Sequence, residues 1–383
     1  MNYELIHTVK EKFQAEFEGE ALMVFSPGRI NLIGEHTDYN NGFVFPAAID
    51  KGIALMISKS ENAHSTIVSV DMKETLEVDL KNLNRIEAPT WKNYIIGVIA
   101  ELMKVNPNIT NFNCVFKGDI PVGSGLSSSA ALENSLVFGL NELFQLGLSK
   151  MELIHVSQKA EHNYVGVKCG IMDQFASMFG VEDHALFLDC ESLQSEPVFI
   201  DLNAYDILLV NSNVKHALAE SAYNERYEVC HKIAHQLNKL SLRDVTFEEL
   251  ETLKSKISNA DYQKGLYVLE ENDRVVECKK LLKQNDIEQV GQLLYLSHHG
   301  QSTMYQVSCK ELDFLIEEAK QMNYVVGARM VGGGFGGCTI NLVLKSNSEE
   351  FQKSISNLYQ RKFDRTCSIH KVKLSDGTRV VKM

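Results

Sequence analysis

The sequence lacks the cysteine pattern of a disulfide-stapled or zinc-binding protein. Its eight cysteines are scattered over 383 residues, with no CxxC pair and no Cys/His cluster at zinc spacing. We therefore expect reduced, mostly buried thiols in a cytoplasmic protein.

Long apolar runs and excess positive charge are missing too. No apolar run approaches the ~20 residues that a membrane span needs. The first twenty residues are charged and amphipathic, without the apolar core of a signal peptide. The formal net charge of −12 argues against nucleic acid or an anionic membrane as a main partner.

What is present is the composition of a globular protein, with 44% hydrophobic and 23% charged residues. The length suggests two domains. Strand-like segments are grouped early and mixed with helices, which predicts a mixed α/β fold. The segment 191–203 has little periodicity and is our candidate boundary, so we expect domains at residues 1–200 and 201–383.

A glycine- and serine-rich stretch, residues 119–133, organises the chain. A strand-like run (112–116) precedes it, and an apolar helical run (130–146) follows. Glycines let a ligand approach the backbone, and the first N–H groups of a helix attract anions. The stretch predicts a phosphate site, with an ordinary N-capped helix as the alternative. It is neither a Walker loop nor a dinucleotide fingerprint.

A second cluster lies in residues 26–42, where Arg29, Glu35, His36 and Asp38 fall within ten residues among turn formers. Charged residues mixed with glycine in a loop indicate a site more than a fold element. The alternative is a solvated surface loop.

Two further features complete the set. Asp173 stands among Ile171, Met172 and Phe175, where a carboxylate is costly unless it is paired. Its alternative role is to cap a helix beginning at Gln174. Residues 332–337 hold five glycines in six positions, which predicts backbone packed where no side chain fits.

The three glycine-bearing motifs, at 27–39, 121–130 and 330–337, resemble in their order those of the GHMP kinase superfamily. The run Gly-Arg-Ile-Asn-Leu-Ile-Gly-Glu-His-Thr-Asp-Tyr is similar to that of the galactokinase family. The resemblance implies an α/β (α+β) two-domain fold. It has a ribosomal-S5-like N-terminal domain, an α+β C-terminal domain and an active site between them.

The resemblance also implies an activity, transfer of the γ-phosphate of ATP to the C1 hydroxyl of galactose, with Mg²⁺. Asp173 matches the proton acceptor, and Arg29 the arginine beside it. Ser129 (or Ser128) and Glu161 match the Mg²⁺ ligands. The phosphate-binding residues would be Gly123, Ser124, Gly125, Leu126, Ser127, Ser128 and Ser129. The sugar-binding residues would be Glu35, His36, Thr37, Asp38, Gly170, Asp173 and Tyr223. We expect a cytoplasmic monomer.

Three alternatives remain. A galactokinase-like transcriptional sensor binds the same ligands without turnover, but the complete Ser127-Ser-Ser-Ala-Ala run, Arg29 and Asp173 favour an enzyme. A kinase for N-acetylgalactosamine or another pyranose depends on room near C2 of the sugar. A nucleotide-binding module without sugar chemistry leaves the cluster at 29–38 unexplained.

Overall fold

The computed structural model describes residues 2–88, 90–121, 123–215 and 219–382. None of the helices in these ranges is long and apolar enough to cross a membrane. The helices are α1 (Tyr3–Glu16), α2 (Lys92–Val105), α3 (Ser128–Phe144), α4 (Lys150–Ala160), α5 (Met172–Phe179), α6 (Ala219–Gln236), α7 (Phe247–Glu251), α8 (Asn259–Lys283), α9 (Ile287–Thr303), α10 (Lys310–Lys320) and α11 (Ser348–Phe363).

The strands are β1 (Leu22–Asn31), β2 (Phe43–Val44), β3 (Pro46–Lys59), β4 (Ser65–Ser69), β5 (Glu74–Val78), β6 (Phe112–Gly118), β7 (His184–Asp189), β8 (Ser195–Phe199), β9 (Tyr205–Lys215), β10 (Val325–Val331), β11 (Gly336–Leu344), β12 (Ser368–Val372) and β13 (Arg379–Val380). This mixed content confirms the expected α/β (α+β) class.

The first sheet has the strand order β13-β1-β3-β6-β4-β5 in the described residues, and its β4–β6 pair is parallel. The apolar helix α3 crosses its face. A Cβ at Gly139 would lie 3.4 Å from Ile57 and 3.5 Å from Leu55 of β3. Helix α3, which begins directly after the serine loop, is thereby packed against the sheet.

Strand β1 runs further than its sequence predicts. Residues 26–31 look like the start of a loop because Pro27 and Gly28 are turn formers, but they continue β1, with an irregular register between Pro27 and Arg29. Bulges of this kind accommodate proline and re-aim side chains. Arg29 is therefore held by a strand, and the loop expected there begins later.

The second sheet has the order β10-β11-β9-β12, and a smaller sheet has the order β2-β7-β8. One predicted element is wrong here. The spacing over 214–237 predicts one long helix, but β9 continues to Lys215 and α6 begins at Ala219, with residues 216–218 outside the described ranges. Strand β9 pairs with β11 as far as Lys215, and this pairing extends it past the point where helical spacing begins.

The end of the chain returns to the first sheet. In β13, Val380 pairs with Val24 and Arg379 with Phe25. Nearby, the Thr378 hydroxyl lies 2.8 Å from the Ser26 hydroxyl and donates to the Ser177 carbonyl at 2.9 Å. These contacts link the C-terminus to β1 and to α5, both of which reach the cavity described next.

Candidate active site

A cavity of about 180 Å³ gathers most of the side chains that the sequence singles out. Of the residues expected at the site, Thr37, Gly170 and the loop residues before Ser129 do not line it. Its lining residues are Arg29, Glu35, His36, Asp38, Tyr94, Ser129, Glu161, Val167, Cys169, Met172, Asp173, Tyr223 and Gly333.

Asp173 and Arg29 form a two-pronged ion pair at the cavity. Arg29 donates from Nε to Oδ1 of Asp173 at 2.7 Å and from Nη2 to Oδ2 at 2.9 Å. Burial alone would lower the pKa of Arg29, but the carboxylates of Asp173, Glu35 and Asp38 outweigh it and raise that pKa. Asp173 lies in the first turn of α5, whose N-cap is Ile171, so the cap alternative is wrong.

Among the carboxylates that line the cavity, Asp38 has the most perturbed environment. Burial, followed by the negative charge of Asp173, raises its pKa to about 7. Gly170 is packed against it: a Cβ there would lie 2.0 Å from Oδ2 of Asp38. The missing side chain of Gly170 makes room for Asp38, and a contact between its backbone and the sugar stays a prediction.

His36 is held as a neutral imidazole. Burial lowers its pKa to about 3. Its Nε2 lies 3.2 Å from the carbonyl oxygen of Gly333, and its Nδ1 lies 2.8 Å from the Tyr39 hydroxyl. A carbonyl can only accept, so Nε2 carries the proton and Nδ1 accepts from Tyr39. The Tyr39 hydroxyl in turn lies 2.7 Å from that of Tyr305.

Glu35 is fixed by a residue that sequence reasoning missed. Its Oε1 accepts from Nη2 of Arg329 at 3.0 Å and from the Gly332 N–H at 2.8 Å. Arg329 is fully buried and also donates to the carbonyl of Leu32 at 2.8 Å. The available signal was a charged residue inside the apolar run Val325–Val331, because a buried charge needs a partner. Thr37 faces away, its hydroxyl 2.6 Å from the Phe43 carbonyl.

The glycine- and serine-rich loop packs backbone to backbone against the third glycine motif. Gly123 and Gly125 have positive φ, 70° and 71°. A Cβ at Gly332 would lie 2.6 Å from the Gly125 carbonyl, which confirms that the third motif has no room for side chains. The buried hydroxyl of Ser124 has no hydrogen-bond partner among the described residues.

The alternative that this loop only caps an ordinary helix is wrong, because its N-cap residue makes no capping bond. Ser127 occupies the N-cap of α3 but makes no side-chain cap bond there. Its hydroxyl donates instead to Oδ2 of Asp173.

Ser129 and Glu161 meet at one wall of the cavity. Glu161 begins a π-helical turn (Glu161–Val165) after α4, a distortion frequent at functional sites. Ser129, which lines the cavity where Ser128 does not, is hydrogen-bonded to the Glu161 carboxylate. Burial raises the pKa of Glu161, and the negative charge of Asp173 raises it further. Hydrogen bonds from Cys169 and Ser129 lower that pKa but do not outweigh the increase.

Glu133, which sequence reasoning missed, lies close to Glu161 but does not line the cavity. It is fully buried, its Oε1 has no partner among the described residues, and burial and Glu161 raise its pKa well above the usual value. Burial is the largest cause of both shifts and disfavours the ionised carboxylates, which a nearby cation would favour. The described ranges hold no group of three or more His, Cys, Asp or Glu able to bind a metal alone.

Comparisons with known proteins agree with this geometry. The chain matches the GHMP kinases N terminal domain at residues 93–181, the galactokinase galactose-binding signature at 11–59 and the GHMP kinases C terminal family at 278–361. A galactokinase of Thermosipho africanus is 42% identical over 361 residues, covering 94% of this chain and all of that one.

Solved structures give the same answer. The Lactococcus lactis galactokinase complexed with galactose superposes with a TM-score of 0.92 at 36% identity, covering 97% of this chain and 98% of that one. The Methanococcus jannaschii mevalonate kinase shares the fold, with a TM-score of 0.66 at 19% identity, covering 94% of this chain and all of that one.

The two-part fold, the glycine loop and the cavity beside it define a GHMP-type kinase. Within that superfamily, the chain belongs to the galactokinase family. It is thus a sugar kinase that uses ATP, and ATP-dependent phosphoryl transfer requires a divalent metal ion.

Proposed function

We propose that the chain transfers the γ-phosphoryl group of ATP to the C1 hydroxyl of α-D-galactose, giving α-D-galactose 1-phosphate and ADP. The observation that carries the proposal is the Arg29–Asp173 pair, which lies in one cavity with Glu35, His36 and Asp38 from the signature-matched segment. A carboxylate poised at a hydroxyl-binding cavity beside a phosphate loop is the arrangement that phosphoryl transfer to a sugar needs.

Asp173 accepts the proton of the sugar hydroxyl as its oxygen attacks the γ-phosphorus. Arg29 keeps the carboxylate oriented through both of its oxygens and brings positive charge next to the transferring group. Fixed charges of this kind stabilise the negative charge that develops in the transition state.

The nucleotide phosphates bind at the loop 123–129, where glycines leave space and the first N–H groups of α3 face outward. The buried, partnerless hydroxyl of Ser124 suits a phosphate oxygen. Ser129 and Glu161 are the residues that would hold Mg²⁺. When bound, Mg²⁺ would offset phosphate charge. It would also favour the ionised forms of Glu161 and Glu133, whose pKa values burial raises.

The sugar hydroxyls bind to Glu35, His36, Asp38 and Tyr223. Arg329 and Gly332 occupy Oε1 of Glu35, which leaves Oε2 for a ligand. His36 reaches a sugar hydroxyl by transferring its Nε2–H bond from the Gly333 carbonyl, the longer of its two bonds at 3.2 Å. Groups built to bind hydroxyls discriminate strongly, because a missing hydroxyl leaves a buried partner unpaired.

A coupled ADP-release assay with Mg·ATP tests the proposal across galactose, glucose, arabinose and N-acetylgalactosamine. We expect galactose to be the best substrate and glucose, which differs at C4, to be poor. Preference for N-acetylgalactosamine would support the alternative pyranose kinase. Galactose binding in calorimetry without ADP release from folded protein would support a sensor and overturn the enzyme.

A further inference from the structure

Ser127 connects the phosphate loop directly to Asp173. It is the residue before α3, and its hydroxyl donates to Oδ2 of Asp173. The same loop contacts Arg29 twice: the Gly125 carbonyl accepts from Nη1 at 2.7 Å, and the Leu126 carbonyl accepts from the Arg29 backbone N–H at 3.1 Å. The loop and the acid–guanidinium pair therefore form one hydrogen-bonded unit.

The backbone of Ser127 is in an unfavourable conformation for a residue with a side chain. Its φ and ψ are 57° and 54°, in the left-handed region that glycine occupies without cost. An L-residue there is strained because its Cβ comes too close to the following carbonyl oxygen. An N-cap serine normally recovers such losses by bonding the first turn of its helix, and Ser127 does not. Strain of this kind points to a use for the side chain elsewhere.

Counting the bonds on Asp173 identifies that use. Oδ2 accepts from Arg29 Nη2 and from Ser127, whereas the single bond to Oδ1 from the described residues comes from Arg29 Nε. Each carboxylate oxygen offers two lone-pair sites. Oδ2 is therefore saturated and Oδ1 retains one free site. The Asp173 side chain is 27% exposed, at the cavity.

We propose that Ser127 is a positioning residue that reserves Oδ1 of Asp173 for the proton of the sugar hydroxyl. The proposal rests on the proposed function. As the sugar oxygen bonds to the γ-phosphorus, its proton passes to Oδ1, and the bond from the γ-phosphorus to the bridging oxygen breaks with its electron pair going to ADP. The Ser127 hydroxyl thus orients the Asp173 carboxylate, and the Ser127 backbone N–H is left to bind the phosphates.

Two variants remove the hydroxyl with opposite effects on the backbone. Ser127→Ala keeps the left-handed strain, and Ser127→Gly relieves it. A hydrogen bond to a charged group corresponds to a factor of about 10 to 100 in rate. We expect both variants to lose that factor in kcat, with KM values for ATP and sugar within about 3-fold of wild type. The Tm of Ser127→Gly should not fall, which separates this result from misfolding.

A double-mutant cycle with Asp173→Asn closes the test. If Ser127 acts through Asp173, Ser127→Gly should have little further effect on the residual turnover of Asp173→Asn. The inference is overturned if kcat of Ser127→Gly stays near wild type, if its effect falls on KM for ATP, or if the same loss recurs in the Asp173→Asn background. Absence of wild-type turnover would instead overturn the proposed function itself.

Discussion

The cavity carboxylates differ in what compensates their charge. Asp173 has a guanidinium on both oxygens, whereas burial and the charge of Asp173 raise the pKa of Asp38 to about 7. Asp173 is therefore kept ready to accept a proton. Ionised Asp38 destabilises the folded protein, and a hydrogen bond from a sugar hydroxyl would offset that cost. Three substitutions test this division of roles.

Asp173→Asn keeps the shape of the side chain but removes its charge and its basicity. A positioned general base contributes about 10²- to 10⁴-fold, so galactose-dependent turnover should fall by that factor, or ~3–5 kcal/mol in barrier. Nucleotide binding should change little. The control is Asp206→Asn, a buried aspartate paired with Lys371 at 2.7 Å and outside the cavity lining, which should keep its turnover. Near-normal turnover of Asp173→Asn would remove Asp173 from the mechanism.

Asp38→Asn should stabilise the ligand-free protein while weakening sugar binding. The pKa of Asp38 rises from 3.8 to about 7 on folding, so its ionisation penalises the folded state increasingly as pH rises toward 7. Each pKa unit corresponds to ~1.4 kcal/mol, an upper limit of roughly 4 kcal/mol. The gain in Tm over wild type should be largest at pH 8 and should shrink as pH falls toward 4.

Asp206→Asn is the matched control for this pH series. Burial would raise the pKa of Asp206, but Lys371 and Ser348 lower it overall. Its contribution to stability is therefore present at neutral pH and lost in acid, so the asparagine should lower Tm at pH 7. A pH-independent Tm difference for Asp38→Asn would contradict the environment described for Asp38.

Gly170→Ala should displace Asp38, because the added Cβ would lie 2.0 Å from Oδ2. Small misplacements at a reacting site can cost up to about 10²-fold, and we expect kcat/KM for galactose to fall roughly 10- to 100-fold. KM for ATP should hold. In an Asp38→Ala background the same change should have no further effect. An equal loss in that background would mean that Gly170 acts on the sugar directly.

At the scale of elements, the paired glycine motifs determine how the phosphate loop is held. Gly332→Ala forces a φ of 85° on a side chain and places its Cβ 2.6 Å from the Gly125 carbonyl. The loop should shift, raising KM for ATP about 10-fold or more. Gly147→Ala is the control, because it has a φ of 72° with nothing within 4 Å, and it should cost stability without changing ATP kinetics. Equal kinetics for the two variants would exclude a role for the motif contact.

Helices and strands with one clear periodicity could be predicted from sequence. Those whose ends depend on pairing with strands far away in the chain could not. Helix α2 and strand β6 follow their local patterns. Strand β1 passes through Pro27 and Gly28, which look like a turn, because β3 pairs with it along its whole length. In the site, Arg29 and Asp173 were identifiable as chemistry-bearing residues. Their mutual bonds, and the roles of Arg329 and Glu133, depend on neighbours more than a hundred positions away or on burial.

For the whole molecule, we propose a division near residue 200, with the last residues returning to the first part. In that arrangement the last residues are a structural component of the N-terminal part. Ser26 on β1 and Ser177 on α5 both bond Thr378, and α5 carries Asp173. We therefore expect the position of α5, and with it that of Asp173, to depend on the contacts of Thr378.

Ending the chain after Leu374 should therefore lower both Tm and kcat. The deletion removes the β1–β13 pairing and the buried Thr378 contacts. Thr378→Val, which keeps the shape, should cost about 1–3 kcal/mol by leaving buried partners unpaired. Val380→Ala is the control, because that side chain is 39% exposed and should tolerate truncation. A truncated chain with wild-type Tm and turnover would contradict the coupling.

The late return of β13 also has a consequence during synthesis. Val24 and Phe25 of β1 are synthesised about 350 residues before their partners Val380 and Arg379. Until then, β1 presents an open sheet edge, and exposed edges invite pairing with other chains. A nascent chain that pauses before Arg379 would carry this edge, so chaperone protection of β1 should matter until β13 has been synthesised.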